Sequence, residues 1–396
     1  MKILVLSWEF PPRIVGGIAR HVAELYPELA KFGHEINLIT VKFGQAPMYE
    51  IVEGVKIHRV PVGDSDNFFH WVANMNESMG SHGGKLIVEE GPFDIIHAHD
   101  WLVADAAIAL KHTFKIPLIA TIHATECGRH NGIHNHQQQY IHQKENDLAY
   151  NSWRIIACSN YMKQHIEKVL ASPRDKIDVV YNGIRWQKKP SKEDFDWQNF
   201  RRYFAKDEEK IVYYVGRMTP EKGISVLIHA ATRIAYEMGG NVKFVAIGGG
   251  KTDYWKQEAW DCNVSDKFYF TGFLSDDKLD KFQAIADCAV FPSLYEPFGI
   301  VALESFAARV PVVVSNTGGL PEVVQHAKTG IVTEVANPES LAVGILKVLN
   351  NPDYAASLVE NAYQDLKSRF GWPELGRQTE KIYLQVVEER SLVCWE

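Results

Sequence analysis

The sequence predicts an α/β protein with two domains, each built on a doubly wound parallel sheet. The chain has 396 residues, which is more than one ordinary core accommodates, so two domains of roughly 150 to 200 residues are expected. Short β-rich apolar runs alternate with segments of helical period, a pattern typical of parallel strands covered by helices. Polar or glycine-containing turns follow several of these runs, at the sheet edge where such folds bind ligands.

The first half opens with a strand at residues 2–6, a loop, and a helix at about residues 18–32. Gly16 and Gly17 in the loop allow a ligand to approach the backbone closely and leave helix N–H groups free for a phosphate. An ordinary tight turn is the plainer interpretation, and the spacing does not match a dinucleotide fingerprint. Further strands are expected at residues 36–41, 93–96, 117–122, 150–159 and 178–181 and as a β-rich pair around residues 54–61, with helices at about 67–90, up to 112, and at about 160–170.

Polar residues follow two of these strands. His99 and Asp100 come after the run at 93–96, and His123 ends the run at 117–122. A dense polar segment follows at residues 123–136. Its histidines and their neighbours could in principle hold a metal, but no recognised ligand spacing is complete, so we expect a polar cleft lining that hydrogen-bonds sugar hydroxyls. The metal candidates are His99, His123, His130, His134, His136 and His142, and the predicted cleft residues are His99, Asp100, Arg129, His130 and His134.

The second half starts with a strand at residues 210–215 and the turn Gly216-Arg217-Met218-Thr219-Pro220-Glu221-Lys222-Gly223. Two cations in one strand-to-helix turn can converge on a diphosphate, although a surface loop with ordinary basic residues is the alternative. The strand at 243–247 runs into Gly248 and Gly249, a turn open enough for a nucleotide to lie on the backbone. Further strands are expected at 268–270, 288–291, 310–314 and 330–332, helices at 224–238, from about 299 and at 373–389, and a connecting segment at 185–207.

Two carboxylates stand after the strand at 288–291. Glu296 precedes a helix that begins near Gly299, and Glu304 lies one turn inside it. Free N–H groups and the positive dipole end at such a helix start attract anionic or polyhydroxy ligands. Both carboxylates can face a ligand held there, one addressing a sugar and the other a ribose. The plainer interpretation is a helix-start carboxylate and a solvated helix residue.

The Glu-x7-Glu spacing, preceded by Pro292-Ser293 and containing Pro297-Phe298-Gly299, resembles the signature of retaining glycosyltransferases with the GT-B fold, family 4 (group 1), related to glycogen and starch synthases. Gly-Arg-x4-Lys-Gly at 216–223 is similar to that family's pyrophosphate clamp. The resemblance implies two Rossmann-like domains facing a central cleft, at residues 1–184 and 185–372, with a helix at 373–396 that crosses back onto the first domain. It departs from the polymer synthases at Ile14, at Pro321-Glu322-Val323 and at Arg309, where a helix-ending glycine is usual.

The resemblance also implies roles for individual residues. Glu296 would face the donor sugar, Glu304 would bind the ribose hydroxyls, and His123 would contact the transferred sugar. The implied catalytic residues are His123, Arg217, Lys222 and Glu296. The implied nucleotide-sugar site consists of Gly16, Gly17, Arg217, Lys222, Gly248, Gly249, Phe273, Glu296, Phe298, Gly299, Ile300 and Glu304.

The resulting prediction is an enzyme that transfers a hexosyl, preferably glucosyl, unit from an ADP- or UDP-sugar to a saccharide or α-glucan. Fixed cations and helix-start amides would stabilise the departing diphosphate, so we expect no cofactor, no metal in the site and activity without a divalent cation. Alternatives are a nucleotide-sugar epimerase or hydrolase of the same fold, a transferase with a small-molecule or lipid-linked acceptor, a dehydrogenase-type dinucleotide binder, and a sugar-binding protein without activity.

Charge and cysteine content exclude other classes. The net charge is −7 and neither half of the chain is basic, so nucleic-acid partners are not expected. No apolar run reaches the length of about 18 residues that spans a bilayer, and no signal peptide is evident, so we expect a cytoplasmic protein. The five cysteines are scattered and never form Cys-x-x-Cys, which argues against a disulfide framework and a thiolate metal site.

Overall fold

The computed structural model describes residues 1–186 and 195–394. It divides into two compact units. The first unit comprises Met1–Gly183 and Gly371–Glu396, and the second comprises Ile184–Phe370. The predicted boundaries after residues 184 and 372 lie close to these limits. Of the predicted connecting segment, residues 187–194 lie outside the described residues, and a helix forms at Trp197–Arg202.

The elements of the first unit alternate along the chain as the sequence pattern predicts. In order they are β1 (Lys2–Leu6), α1 (Gly17–Lys31), β2 (Glu35–Val41), β3 (Tyr49–Val52), β4 (Val55–Val60), α2 (Phe68–Glu90), β5 (Ile95–His99), α3 (Ala104–Phe114), β6 (Leu118–Ile122), α4 (Glu126–His130), α5 (His136–Asn151), β7 (Arg154–Ala157), α6 (Asn160–Val169) and β8 (Ile177–Val179).

These strands form one sheet in the order β3-β4-β2-β1-β5-β6-β7-β8. All neighbours are parallel except β3 and β4, which form an antiparallel hairpin at the edge. Alternate residues of β1 enter two different cores, because side chains point to opposite faces along a strand. Leu4 and Leu6 pack among α2 and α3, whereas Ile3 and Val5 pack among α1 and the C-terminal helix. The strand order reverses between β1 and β5, which is the point where ligands bind in sheets of this type.

The second unit repeats this construction. Its elements are α7 (Trp197–Arg202), β9 (Lys210–Val215), α8 (Ile224–Glu237), β10 (Val242–Ile247), α9 (Asp253–Asp261), β11 (Phe268–Gly272), α10 (Asp276–Gln283), β12 (Cys288–Phe291), α11 (Ile300–Ala307), β13 (Val312–Ser315), α12 (Leu320–Val323), β14 (Ile331–Thr333), α13 (Pro338–Leu349) and α14 (Pro352–Arg369). The parallel sheet has the order β11-β10-β9-β12-β13-β14. Here the order reverses between β9 and β12, so that pair of strands marks the expected binding edge.

The last helix, α15 (Trp372–Ser391), returns to the first unit. Its Trp372, Tyr383 and Val386 are buried in the core that also contains Val22 and Leu25 of α1. Among the described residues, none of the helices is both long enough and apolar enough to span a bilayer.

The structure corrects two predicted elements and shows the backbone conformation of Arg309. β5 runs to His99 rather than ending at residue 96, so the histidines of this run lie inside the strand. α5 occupies His136–Asn151, and the strand expected at 150–159 is confined to Arg154–Ala157. Arg309 takes the left-handed conformation, with φ of 59°, at the position where glycine was expected. Its guanidinium lies 3.0 Å from Glu360 and over the ring of Tyr363.

Candidate functional site

The turns that follow β9 and β12 bring a lysine and a glutamate together at the binding edge of the second unit. Lys222 Nζ lies 2.8 Å from Glu296 Oε2. The Ser293 hydroxyl lies 3.3 Å from the same oxygen. Only 20% of the Lys222 side chain and 11% of the Glu296 side chain are exposed. The two residues that the family resemblance assigned to the diphosphate and to the sugar are therefore in contact, and both are largely sheltered from water.

Backbone contacts fix these turns against each other. Leu294 N donates to the carbonyl of Glu221 at 2.8 Å. Gly223 has φ of 72°, and a Cβ added there would lie 1.9 Å from the carbonyl oxygen of Pro292. No other residue fits so close to a neighbouring backbone, because real side-chain carbons do not approach an oxygen that closely. The turn holding Lys222 can therefore sit directly on the turn holding Glu296 only because residue 223 is glycine.

The turn after β13 closes on Glu296 from the other side. Gly319 N donates to the Glu296 carbonyl at 2.9 Å. Gly318 has φ of 58°, and a Cβ there would lie 1.8 Å from the same oxygen. The Thr317 hydroxyl donates to Leu294 O at 3.1 Å. The turns that follow β9, β12 and β13, three neighbouring strands of the sheet, thus hold the Glu296 backbone in one position.

Arg217 is placed differently from Lys222. Its side chain is 53% exposed and lies 3.1 Å from Glu221 Oε1. The turn is anchored beneath it, since the hydroxyl of buried Tyr214 donates to the Arg217 carbonyl at 2.7 Å. The two predicted clamp cations therefore contact different carboxylates in this structure, and an exposed Arg217 side chain is free to rotate toward an anion.

The residues of the second unit that were predicted to bind the nucleotide sugar lie around the same edge. Gly248 and Gly249 are held to the neighbouring turns by backbone hydrogen bonds to Gly272 and Met218. The side chain of Phe273 is exposed, whereas that of Phe298 is 2% exposed and packs against Phe370. Phe298 can offer only its backbone to a ligand. Gly299 precedes the first turn of α11, which begins at Ile300, and Glu304 is half-buried on that helix.

In the first unit the carboxyl ends of β5 and β6 carry the second predicted group. His123 N donates to Asp100 Oδ1 at 2.7 Å. His123 Nε2 lies 3.0 Å from His99 Nδ1. Asp100 is buried with φ of 59°, a conformation rarely taken by a residue other than glycine and a common sign of a functional site. Burial raises the pKa of Asp100 to about 6, against the opposing charge of Arg129.

A chain of hydrogen bonds continues behind His123. His99 Nε2 lies 2.6 Å from the Tyr26 hydroxyl, and His97 Nδ1 lies 2.5 Å from the Tyr383 hydroxyl of α15. His97 Nε2 lies 2.8 Å from Thr121 Oγ1. Burial lowers the pKa of His123 to about 3 and holds the pKa of His97 and His99 well below the ordinary range. The imidazoles are therefore neutral at pH 7, and the buried network fixes the His123 ring without a charge.

The predicted cleft residues of the first unit do not all have the expected position. His99 is fully enclosed, because β5 continues through it, so the assignment of His99 to a ligand-contacting surface was wrong and it supports His123 instead. His130 and His134 are exposed near α4, and His134 Nε2 lies 2.9 Å from the His130 carbonyl. Arg129, also on α4, is half-buried.

The glycine pair before α1 has an internal partner. Glu9 is 1% exposed, and its Oε2 accepts from Val15 N at 2.7 Å and from Gly16 N at 2.9 Å. The amide of Gly16, predicted to be free for a phosphate, is therefore occupied by a carboxylate in this structure. Burial raises the pKa of Glu9, against these two hydrogen bonds. A ligand anion could use the Gly16 amide only by displacing Glu9.

Two Asp-x-Asp spacings, whose paired carboxylates could hold a metal, occur in the chain. Asp64 and Asp66 are exposed in the loop before α2. The side chain of Asp196 accepts from Asn199 N and so begins α7, and Asp194 lies outside the described residues. The described aspartates of these pairs are not at the turns after β9 and β12, so these spacings give no reason to route the diphosphate through a carboxylate-held metal.

Three residues near the predicted sites carried no motif signal. Glu9 occupies the amides before α1, His21 lies against His123, with ring centroids 4.8 Å apart, and Asn182 Oδ1 lies 2.8 Å from His21 Nδ1. A histidine on the buried face of the apolar-periodic helix α1 was the available signal for His21, because histidine is uncommon in a core without a partner.

Comparison with known proteins identifies the family of the chain. A model of the glycosyl transferases group 1 matches residues 195–365, and a model of glycosyltransferase family 4 matches residues 15–187. An uncharacterised glycosyltransferase of Methanocaldococcus jannaschii is 38% identical, with 98% of this chain and 99% of that protein covered. The glycogen synthase of Mycobacterium tuberculosis is 33% identical, with 97% and 94% covered.

A solved structure supports the fold. Sucrose-phosphate synthase from Thermosynechococcus elongatus superposes with a TM-score of 0.83 at 22% identity, covering 98% of this chain and 99% of that one. The two parallel sheets, each with a reversal of strand order, are those of the GT-B fold. The chain therefore belongs to the group 1 glycosyl transferases of family 4 and is a glycosyltransferase.

Proposed function

We propose that this glycosyltransferase transfers a glucosyl unit from ADP-glucose or UDP-glucose to a saccharide or α-glucan acceptor, with retention of anomeric configuration. The observation that carries the proposal is the contact between Lys222 and Glu296 at the reversal point of the second sheet. A cation suits the diphosphate side of a nucleotide sugar, and a carboxylate suits the hydroxyls of its sugar. The 33% identity to a glycogen synthase supports glucose and an α-glucan.

The mechanism that we propose depends on fixed charges. As the bond between sugar and diphosphate breaks, negative charge develops on the leaving group. Lys222, held by its turn, and Arg217, which can rotate toward the phosphates, would stabilise that charge without a metal or a strong base. Glu296 would orient the sugar, and His123, kept neutral by burial, would contact it. Glu304 would hold the ribose. Cytoplasmic location stays a prediction.

The test is a donor and acceptor panel. Purified protein is mixed with ADP-glucose, UDP-glucose or GDP-mannose, each with maltotetraose, a hexose phosphate or no acceptor, and release of nucleoside diphosphate is measured. We expect release that requires a saccharide acceptor and a glucose donor, and an α-linked product by proton NMR. Release at the same rate without acceptor would instead identify the epimerase or hydrolase alternative, and a β-linked product would contradict retention.

A further inference from the structure

Three imidazoles converge in the first unit beside the reversal point of its sheet. His21 comes from α1, His99 from the end of β5 and His123 from the turn after β6. One ligand nitrogen of each lies within 4.8 Å of the others, and among the described residues this is the group of three or more ligand side chains that could hold a metal ion. The rings of His99 and His123 are 5.3 Å apart and nearly parallel. We call these three residues the histidine triad.

His21 has one nitrogen with no partner. Its Nδ1 lies 2.8 Å from Asn182 Oδ1. Because an amide oxygen only accepts, Nδ1 must carry the proton and Nε2 must carry the lone pair. His21 Nε2 is buried and has no hydrogen-bond partner, and the whole residue is 4% exposed. A buried acceptor without a donor is uncommon in folded proteins and calls for an explanation. A metal ion, which binds a lone pair, supplies one.

His99 is also arranged as a metal ligand. Its Nε2 lies 2.6 Å from the Tyr26 hydroxyl, and its Nδ1 faces His123 Nε2 at 3.0 Å. When Nε2–H donates to Tyr26, Nδ1 carries the lone pair that points into the triad. The Tyr26 hydroxyl can accept this hydrogen bond and still bond to another group, since it also hydrogen-bonds Tyr383. Metal-binding histidines ordinarily donate their second N–H to such a partner, which fixes the ring and its tautomer.

We propose that the histidine triad binds one zinc ion, with water as the fourth ligand. Three histidines and an open position form a known tetrahedral zinc geometry, with zinc to nitrogen distances of about 2.0 to 2.1 Å. Such ligands stand about 3.3 Å apart, so small rotations of the three rings are sufficient. His123 then moves its proton to Nδ1, and its bond to His99 is replaced by the metal. Asn182 and Tyr26 hold the other two rings.

The expected effect of zinc on sugar transfer rests on the proposed function, whereas the expected binding of zinc does not. His123 is expected to contact the donated sugar, and a zinc ion that holds its Nε2 would fix the ring in another role. Zinc should therefore inhibit transfer, and a chelator should restore it. The proposed mechanism does not use the ion, so we assign the ion the role of a regulator of the site.

The experiment uses metal-free, untagged protein and cobalt as a spectroscopic substitute for zinc. We expect one equivalent of Co²⁺ to give the intense visible absorption of a tetrahedral site, and one equivalent of Zn²⁺ to remove it. His21→Gln, His99→Gln and His123→Gln should each weaken binding by at least about 100-fold, since even the partners of metal ligands are worth 10- to 100-fold. Each variant is first checked for native thermal unfolding.

His58→Gln is the matched control. His58 is also buried and also bonded to an asparagine oxygen, Asn37 Oδ1 at 3.0 Å, but it lies outside the triad. The His58→Gln protein should therefore give the same cobalt spectrum as the parent. Asn182→Ala should weaken zinc binding by about 10- to 100-fold, and Asn182→Asp, which keeps the acceptor, should restore it.

A zinc-edge anomalous map from crystals of the unaltered protein supplies a test that needs no variant. We expect one peak between the three rings. Absence of the peak and of the tetrahedral cobalt spectrum, or a spectrum that persists in folded His21→Gln and His99→Gln proteins, would overturn the proposal. Because neither readout uses a sugar donor, a cobalt site in a protein that fails the donor panel would refute only the proposed function. Sugar transfer without a cobalt site would refute only the zinc site.

Discussion

At the scale of single residues, the Lys222 ammonium group is the sharpest target. Lys222→Ala removes a sheltered charge that lies 2.8 Å from Glu296, in the position proposed for the departing diphosphate. We expect turnover at saturating donor to fall by roughly 100-fold or more, the scale for removing one preorganised charge-stabilising group. Arg217→Ala should have an effect of the same order. Steady-state release of nucleoside diphosphate measures both.

The control for these variants is Glu221→Gln, which removes the carboxylate beside Arg217 but neither cation. It should stay within a few-fold of the parent rate. Exhaustive treatment with EDTA should leave the parent active. Activity that vanishes with EDTA and returns with magnesium, in a protein whose Lys222→Ala variant keeps near full rate, would contradict a mechanism based on fixed charges.

His123 and Glu304 should separate catalysis from nucleotide binding. His123→Ala should lower turnover and leave the affinity for free nucleoside diphosphate nearly intact, because it is proposed to contact the sugar. Glu304→Ala should weaken that affinity by about 1.5 to 3 kcal/mol, the range for a hydrogen bond to a charged group. Isothermal calorimetry with ADP and UDP measures the affinities. Unchanged nucleotide affinity in Glu304→Ala would contradict the assignment of Glu304 to the ribose. Equal losses of turnover and nucleotide affinity in His123→Ala would contradict the assignment of His123 to the sugar.

The sequence predicted some of these residues and missed others for a physical reason. Lys222 and Glu296 were identifiable because glycines and prolines fix the turns that carry them, and that turn chemistry is local. Phe298 was assigned to the ligand at a helix start, where a backbone amide can take part, and with its ring buried that assignment stays a prediction about the backbone. Glu9 and His21 carried no motif signal, because the contact of Glu9 with Gly16 depends on how the loop before α1 folds and Asn182 is 161 residues from His21 in the chain.

At the scale of elements, the approach of two turns depends on one glycine. Gly223→Ala places a carbon 1.9 Å from the carbonyl oxygen of Pro292, so the turns after β9 and β12 must separate. We expect a loss of nucleotide affinity together with a loss of stability, because Lys222 and Glu296 are carried on those turns. Calorimetry and urea unfolding of the purified variant measure the two effects.

Gly239→Ala is the control for Gly223→Ala, because it measures the cost of the backbone conformation alone. Gly239 also has a positive φ, 58°, but a Cβ there meets nothing within 4 Å. It should cost about 1 to 2 kcal/mol of stability, the usual penalty of the left-handed conformation, and leave nucleotide affinity unchanged. Equal effects of the two substitutions on nucleotide affinity would show that the contact with Pro292 does not position the site.

Element prediction succeeded where apolar period was strong and failed where polar residues dominated. α1 and α8 present clear apolar faces and were identified within a residue or two. No helix was predicted at α5, whose buried residues are Gln138, Glu145, Leu148 and Ala149, so its periodicity is carried largely by polar side chains. The predicted β5 was too short because His97 and His99, in its last three residues, are polar residue types, although both are buried.

At the scale of the whole molecule, stability should depend on pH through buried histidines. Burial lowers the pKa of His58 to about 4 from 6.5, with His82 and Lys56 adding to the effect and Glu90 opposing it. Tyr49 packs on its ring. Between pH 6.5 and 4 the unfolded chain binds a proton that the folded chain excludes, so stability is lost as the pH falls through that window.

His58→Gln should remove this contribution. Its free energy of unfolding should fall less steeply than that of the parent between pH 6.5 and 4, by roughly 1.4 kcal/mol per pH unit, with no such change in slope above pH 6.5. Urea unfolding at several pH values compares the slopes. Identical slopes in the two proteins would mean that His58 accepts its proton in the folded state.

The two-sheet architecture followed from the sequence because strand and helix periods alternate along the chain with turns at each junction. The internal order of the sheets, and hence the edges where β1 meets β5 and β9 meets β12, needed long-range pairing that no local pattern specifies. The family resemblance implied the GT-B fold class, and the comparisons with known proteins confirmed that class.

The return of α15 to the first unit also sets an order of assembly during biosynthesis. A ribosome releases the second unit, residues 184–370, before it releases Gly371–Glu396. The second unit can therefore fold on the nascent chain while the first still lacks Trp372 and Tyr383, both buried in its core. Until synthesis passes those residues, α1 exposes the apolar face that α15 will cover, and the Tyr383 hydroxyl is missing beside His97. Synthesis of the first unit therefore begins before that of the second unit and ends after it.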